Sequence, residues 1–341
     1  MLPNKVTDKI KGLDSIRFIA AFIVTIGHFG NPPIFMGANE NNTIVRLAIG
    51  FYNNFFNGPA AVIVFFVISG FCIHFPYAKG KQMDMPNFYI KRMIRILIPM
   101  IVVMVMSTFL HIETDLHTSI FWSLFAEVIY YILYPFLLKL SKKYKWNSLV
   151  VISYILSYSL IFYFMFINPI KDNGNYPQYG FLNFILGLPC WLLGVKLADS
   201  FTHSESKIIS VKRITIYRFG VWIASVLFSI LRFHTTIGYN VSLNIFAIVV
   251  YLWLQQEILY YQNREPSKLL ENAGKWSYSL YLIHLFTYWV YAFLPNFGPL
   301  VNLFLGILTA LIDSYIFYLI VEKPSHKLSQ RFSLQRLKIA S

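Results

Sequence analysis

The chain has 341 residues, of which 57% are hydrophobic, 18% aromatic and only 13% charged. Soluble domains carry about 25% charged residues, and apolar runs recur here from end to end, so the solvent for this chain is a bilayer. A formal net charge of +14 would suit a nucleic-acid binder. The Lys and Arg residues, however, sit in short gaps between apolar runs and not on a soluble face, which excludes that class.

In chain order the apolar runs predict ten spans, an all-α polytopic membrane protein. They lie at about 13–30, 57–76, 92–111, 118–138, 147–167, 180–198, 213–231, 239–257, 276–295 and 299–321. Lys5, Lys9 and Lys11 precede the first run as in a signal peptide. That run nevertheless carries Arg17 and His28 and has no small-residue cleavage site after it, so it reads as a retained span. The connection at about 31–56 is rich in Asn, Gly and aromatics, and reads as a loop over one mouth of the bundle. The sixth run holds Gly187, Pro189 and Gly194, which predicts a kink. Cys72 and Cys190 lie within apolar runs and give no disulfide framework or metal-ligand spacing. No internal repeat, low-complexity tract or appended soluble domain is evident, so 1–341 reads as one transmembrane domain. With the N-terminus cytoplasmic, 26 of the 29 Lys and Arg fall on inside segments, leaving only Arg46, Lys171 and Arg232 outside. This asymmetry predicts both termini inside.

Ionisable groups inside spans are costly and mark functional candidates. Arg17 and His28 are eleven residues apart, nearly three whole turns, so they share one helix face about 16 Å apart along the axis. The plainer readings are a snorkelling anchor for Arg17 and an interfacial histidine for His28. In the fourth span Glu127 shares a face with Ser123, Tyr131 and Tyr134. A carboxylate at that depth needs a partner or a proton, and Arg17 could be a purely structural one. His284 in the ninth span has Ser277, Tyr281 and Tyr288 on its face. Asp313 in the tenth is deep enough to pair with Arg17. Lys91, Arg92 and Arg95 stand at the inner end of the third span, either as positive-inside anchors or as a phosphate clamp.

Several segments together resemble the integral-membrane acyltransferase-3 family. Gly12-Leu13-Asp14-Ser15-Ile16-Arg17 with His28 resembles its arginine–ten residues–histidine signature. Phe66-Val67-Ile68-Ser69-Gly70-Phe71 is similar to its second-span element. Lys91-Arg92-Met93-Ile94-Arg95-Ile96 with Pro99 looks like its basic third-span entry. Trp122-Ser123-Leu124 with Glu127, Tyr130, Tyr131 and Pro135, then Ser277-Tyr278-Ser279-Leu280-Tyr281-Leu282-Ile283-His284, and finally Glu322-Lys323-Pro324 complete the series. The second-span segment continues to His74, for which the resemblance gives no role.

The resemblance implies a ten-span bundle with cytoplasmic termini, in the stand-alone form, in a bacterial inner membrane. It further implies acetyl-coenzyme A or another acyl-coenzyme A as donor substrate, with no permanently bound cofactor and no metal. The acceptor it implies is a hydroxyl of a cell-surface or lipid-linked carbohydrate. The expected catalytic residues are His28, Arg17 and Glu127. Donor contacts are expected from Arg92, Arg95, Lys91, Ser69, Gly70 and Phe71, with Asp14, Ser123, Tyr131, Tyr281, His284 and Asp313 as further candidates. His28 is the base that chemistry selects, because imidazole titrates in the useful range. Arg17 is too far along the helix to reach the same carbonyl, and would hold the donor or an acidic neighbour, with Asp14 helping to hold it. Two other classes compete. A transporter or flippase would suit the charged span residues, but no repeat symmetry is evident. A polytopic scaffold or sensor would not need Arg17, His28, Glu127 and the arginine pair together.

Overall fold

The computed structural model describes residues 10–29, 41–110, 120–167, 174–203, 208–287 and 297–340. Expectations for Lys5, Lys9, Lys171, Tyr288 and residues 30–40 fall outside these. The described residues form a helical bundle without strands. Its helices are α1 Leu13–His28, α2 Thr43–Phe55, α3 Gly58–Ala78, α4 Met85–Phe109, α5 Trp122–Leu140, α6 Trp146–Phe162, α7 Asn183–Thr202, α8 Val211–His234, α9 Tyr239–Gln262, α10 Lys268–Gly274, α11 Ser277–Ile283, α12 Pro299–Phe317 and α13 Lys323–Ala340. Short π turns extend α6 (Tyr163–Ile167) and join α12 to α13 (Tyr318–Glu322).

Eight helical stretches among the described residues are long and apolar enough to cross a membrane. Two expected spans are shorter. The first is the 16-residue α1. The ninth is described only as α11 with a following 3₁₀ turn, His284–Phe286.

Helix starts follow their capping chemistry. Asn57 accepts from the Ala60 amide at 3.1 Å to open α3, and Asp84 accepts from Asn87 at 3.3 Å to open α4. The Asp84 cap starts the third span seven residues earlier than the apolar run suggests, so Lys91, Arg92 and Arg95 lie about two turns inside a helix. Asn42 accepts from Ile44 at 2.9 Å and opens α2 where a loop is expected. That helix turns Ile44, Leu47 and Phe51 outward, one apolar face at helical spacing. The kink expected at Gly187–Gly194 lies earlier in the chain. Gly180, at φ 53° and ψ −132°, breaks the chain between a 3₁₀ turn and α7, and α7 then runs on through Pro189.

The core lies between α3 and α7. An added Cβ on Gly70 would come 2.0 Å from the Trp191 carbonyl oxygen, and one on Gly194 would come 1.9 Å from that of Val67. Only glycines allow this approach, which in a bilayer replaces hydrophobic driving force with close packing. Outer helices show the reverse. Ile216, Phe219, Leu227 and Phe233 of α8 are exposed, as are Val151, Ile155 and Phe162 of α6 and Phe166 of its π turn, the surface that lipid covers.

Polar groups inside the bundle tie helices together. The Arg218 guanidinium reaches the buried Glu257 at 2.6 and 2.9 Å, and the Trp253 indole donates to the same carboxylate at 3.1 Å. His74 pairs with the Tyr134 hydroxyl at 2.9 Å and lies 3.8 Å from Asp199, which gives it a place between α3, α5 and α7. At the end of the bundle rich in Lys and Arg, α10 braces the start of α1. Glu271 accepts from the Ser15 amide at 3.1 Å and its hydroxyl at 2.8 Å. Gly274 lies against the Asp14 backbone too closely for a side chain.

Candidate active site

A cavity of about 320 Å³ is lined by α1, α3, α4, α5, α11 and the π turn that precedes α13. It reaches the basic end at Arg92, Lys275 and His326 and runs inward to Ser123 and Tyr281.

Its lower wall is cationic. Arg17, Arg92 and Arg95 all line it. Arg92 and Arg95 are three residues apart on α4, so their guanidinium groups share a face. Arg17 binds Asp14 one turn away at 3.1 Å, as expected for Asp14. Asp313 does not take that role: Arg17 pairs with Asp14 and feels the charges of Glu127 and Glu322, and Asp313 lies outside the cavity lining. The reason is helical phase, since depth alone does not decide which way a side chain on α12 points. Of the third-span trio, Lys91 stays off the lining; it is one residue, about 100°, round the helix from Arg92.

Above the arginines stands Glu127. It accepts from the Ser69 hydroxyl at 2.5 Å and from Tyr131 at 2.6 Å. The Ser69 oxygen in turn accepts from the Trp191 indole at 3.2 Å. A Trp–Ser–Glu–Tyr network thus fixes a carboxylate within the electrostatic reach of Arg17. Tyr131 shares the helix face of Glu127 as its spacing predicts. Of the expected Ser69, Gly70 and Phe71 trio, only Ser69 reaches the cavity. Gly70 packs on α7, and Phe71 is buried and stacked on Phe75. Three consecutive helical residues diverge by about 100° each and cannot face one ligand.

Sequence reasoning left Glu322 without a role, although it stands in the quoted Glu322-Lys323-Pro324 segment. It is 1% exposed and accepts from the Ser279 amide at 3.1 Å and hydroxyl at 2.5 Å. It therefore caps the first turn of α11, beside Ser277 and Tyr278 on the cavity lining. A π turn places it there, a common feature of functional sites. A buried acid next to a π turn is visible only in three dimensions.

At the inner end, the Tyr281 hydroxyl bonds Ser123 at 2.6 Å. Just beyond, the Tyr281 ring lies 6.2 Å from that of His284. His284 in turn meets His28, Nε2 to Nδ1, at 3.2 Å. The two histidines are therefore neighbours, though 256 residues apart in sequence. α1 is continuous from Arg17 to His28, which keeps them about 16 Å apart. This cavity does not run on from Arg17 to His28. The cavity lining includes Arg17 but stops at Tyr281 and Ser123, with the histidine pair behind them.

No group of three or more metal-ligating side chains occurs among the described residues. No curated protein and no solved structure shows a significant match to the chain. A family model described as an acyltransferase domain matches residues 10–319. That span takes in the arginine cluster, the Glu127 network and both histidines, so a polytopic helical bundle with this cavity belongs to the integral-membrane acyltransferase-3 family.

Proposed function

We propose that this acyltransferase moves an acetyl or other short acyl group from acyl-coenzyme A to a hydroxyl of a surface or lipid-linked carbohydrate. The observation that carries the reading is the stacking of three arginines, an anchored carboxylate and a histidine pair along one side of the bundle. In this reading the basic end faces the cytoplasm of a bacterial cell, as the positive-inside rule requires. The donor's phosphates sit at Arg92 and Arg95, whose planar forks match phosphate oxygens. A cavity of about 320 Å³ is the size of a small-molecule site and takes the pantetheine arm rather than the nucleotide. Arg17, held by Asp14, supports the donor's inner portion. The Glu127 network orients hydroxyl groups in the chamber. Movement of Tyr281 away from Ser123 opens the way to His28.

The chemistry then balances simply. The acceptor hydroxyl loses its proton to His28, and its oxygen bonds to the thioester carbonyl carbon. The carbon–sulfur bond breaks and the departing thiolate takes the proton back. The first test is incubation of the purified protein with acetyl-coenzyme A and candidate glycans, following thiol release and acetylated product. Movement of glycan across vesicles without thiol release would favour a transporter.

A further inference from the structure

The cavity changes character along its length. The charged side chains on its wall lie at the basic end or at Glu127. Beyond Glu127 the lining is Val62, Phe65 and Phe66 of α3, Ser123 and Leu124 of α5, and Tyr281 of α11. Val62, Phe65, Phe66 and Ser69 keep helical spacing on α3, so one helix face runs from the Glu127 network to the inner end. Val62 lies about 10 Å beyond Ser69 along that face. Neither phosphates nor the amides of a pantetheine arm call for such an apolar wall.

Hydrogen bonds and ring contacts close this end. The Ile120 carbonyl accepts from the Ser123 hydroxyl at 3.1 Å and from the Tyr281 hydroxyl at 3.3 Å, and the two hydroxyls are 2.6 Å apart. Tyr281 therefore cannot swing aside without giving up both polar contacts. Phe66 is 2% exposed and meets Trp122 and Tyr130 edge-on, so its ring is already covered. Phe65 differs. It lines the cavity, is partly exposed, and touches the Tyr281 ring edge-on with centroids 5.7 Å apart. It is the aromatic at this end with ring surface left for a ligand.

An acyl-coenzyme A presents the same order of chemistry as the cavity wall: phosphates, then amides, then the thioester, then a hydrocarbon tail. With its phosphates at Arg92 and Arg95, its tail arrives at the apolar end. We infer that this end is the acyl-chain pocket and that Phe65 sets the chain length it accepts. The inference rests on the acyltransfer reading above and deepens it by naming the residue that selects the acyl group. A packed apolar wall discriminates sterically, because a methylene beyond its limit must displace side chains that have nowhere to go. One methylene too many is worth about 10- to 200-fold in such a pocket.

The test measures the affinities of acetyl-, butanoyl- and hexanoyl-coenzyme A by calorimetry, on full-length protein in nanodiscs. Wild type should bind the hexanoyl donor at least about tenfold more weakly than the acetyl donor. Phe65→Ala should raise hexanoyl affinity relative to acetyl by at least about tenfold, and Phe65→Leu should fall between it and wild type. The ratio is the readout, since general damage to the fold weakens all three donors together. Phe65→Leu also keeps the measurement open if the alanine variant does not fold. Phe71→Leu is the control, because Phe71 is buried on the same helix, stacked on Phe75 and off the cavity lining, and its ratio should match wild type. Equal acetyl and hexanoyl affinity in wild type would overturn the inference. So would an unchanged ratio in the folded Phe65 variants, or an equal shift in Phe71→Leu. A wild type that binds none of the three donors would defeat both the pocket and the proposed function. Binding with the expected ratio but no thiol release towards any candidate glycan would count against acyl transfer alone, because the affinities report the pocket without turnover.

Discussion

Glu127→Gln is the sharpest perturbation of the chamber, because it removes a charge and changes almost no volume. Glu127 accepts two short hydroxyl bonds, from Ser69 at 2.5 Å and Tyr131 at 2.6 Å. Hydrogen bonds to a charged group contribute about 1.5–3 kcal/mol each, and neutral ones about 0.5–1.5 kcal/mol. The amide offers one oxygen and one NH₂ group, so at best one bond survives in its original sense. The other must reverse, with the hydroxyl turned to accept. The loss should be about 2–3 kcal/mol, and at about 1.4 kcal/mol per tenfold it predicts turnover lowered by about 30- to 150-fold. Arg17 keeps Asp14 at 3.1 Å, so donor affinity should fall by much less than turnover. Ser69→Ala removes one of the same bonds, and the double variant should lose less than the sum of the singles. Donor binding and single-turnover transfer, measured on one folded sample, test this directly. Full turnover in Glu127→Gln, or strict additivity with Ser69→Ala, would refute the network as part of the machinery.

Arg92→Ala combined with Arg95→Ala should weaken acyl-coenzyme A binding by about 2–4 kcal/mol, read by calorimetry; unchanged affinity would return both to topology anchors. Cysteine labelling near Lys142, between α5 and α6, and near Thr235, between α8 and α9, should report opposite membrane faces, and labelling from one face would break the predicted topology. Gly194→Leu should abolish the α3–α7 approach, since even a Cβ would sit 1.9 Å from the Val67 oxygen; a normal melting temperature in detergent would count against that interface as the centre of the fold. His28→Asn should keep donor binding and lose transfer by about 100- to 10,000-fold, whereas normal transfer would remove His28 from the mechanism.

What the sequence made legible follows from periodicity within single helices. Arg17, Asp14 and His28 could be placed on α1 because a continuous helix obeys its own repeat, and the same holds for Glu127 with Tyr131. Where adjacent residues were grouped by motif, as with Ser69, Gly70 and Phe71, the same repeat argues against the grouping, and the structure agrees. The signal for α2 is local: Asn42 before Thr43 is a helix cap, and Ile44, Leu47 and Phe51 keep helical spacing. Its many Asn residues read as loop composition because the cap and the breaker use the same residue type.

The contacts between helices were not legible, and they define the chemistry. α10 ends at Gly274, pressed against the Asp14 backbone, and α11 starts afresh at Ser277. That break exposes new helix N–H groups deep in the bundle, and the buried Glu322 answers them through Ser279. An unbroken helix would have satisfied those groups internally and left Glu322 with no donor to accept from. The break also resets the phase of the ninth span, so that Tyr281 closes on Ser123 while His284, three residues on, meets His28. One irregular turn therefore sets the acid at the cavity wall, the tyrosine at its inner end and the second histidine of the pair behind it. Irregular backbone inside a membrane persists only where protein groups satisfy it, and here the groups that satisfy it belong to the candidate site.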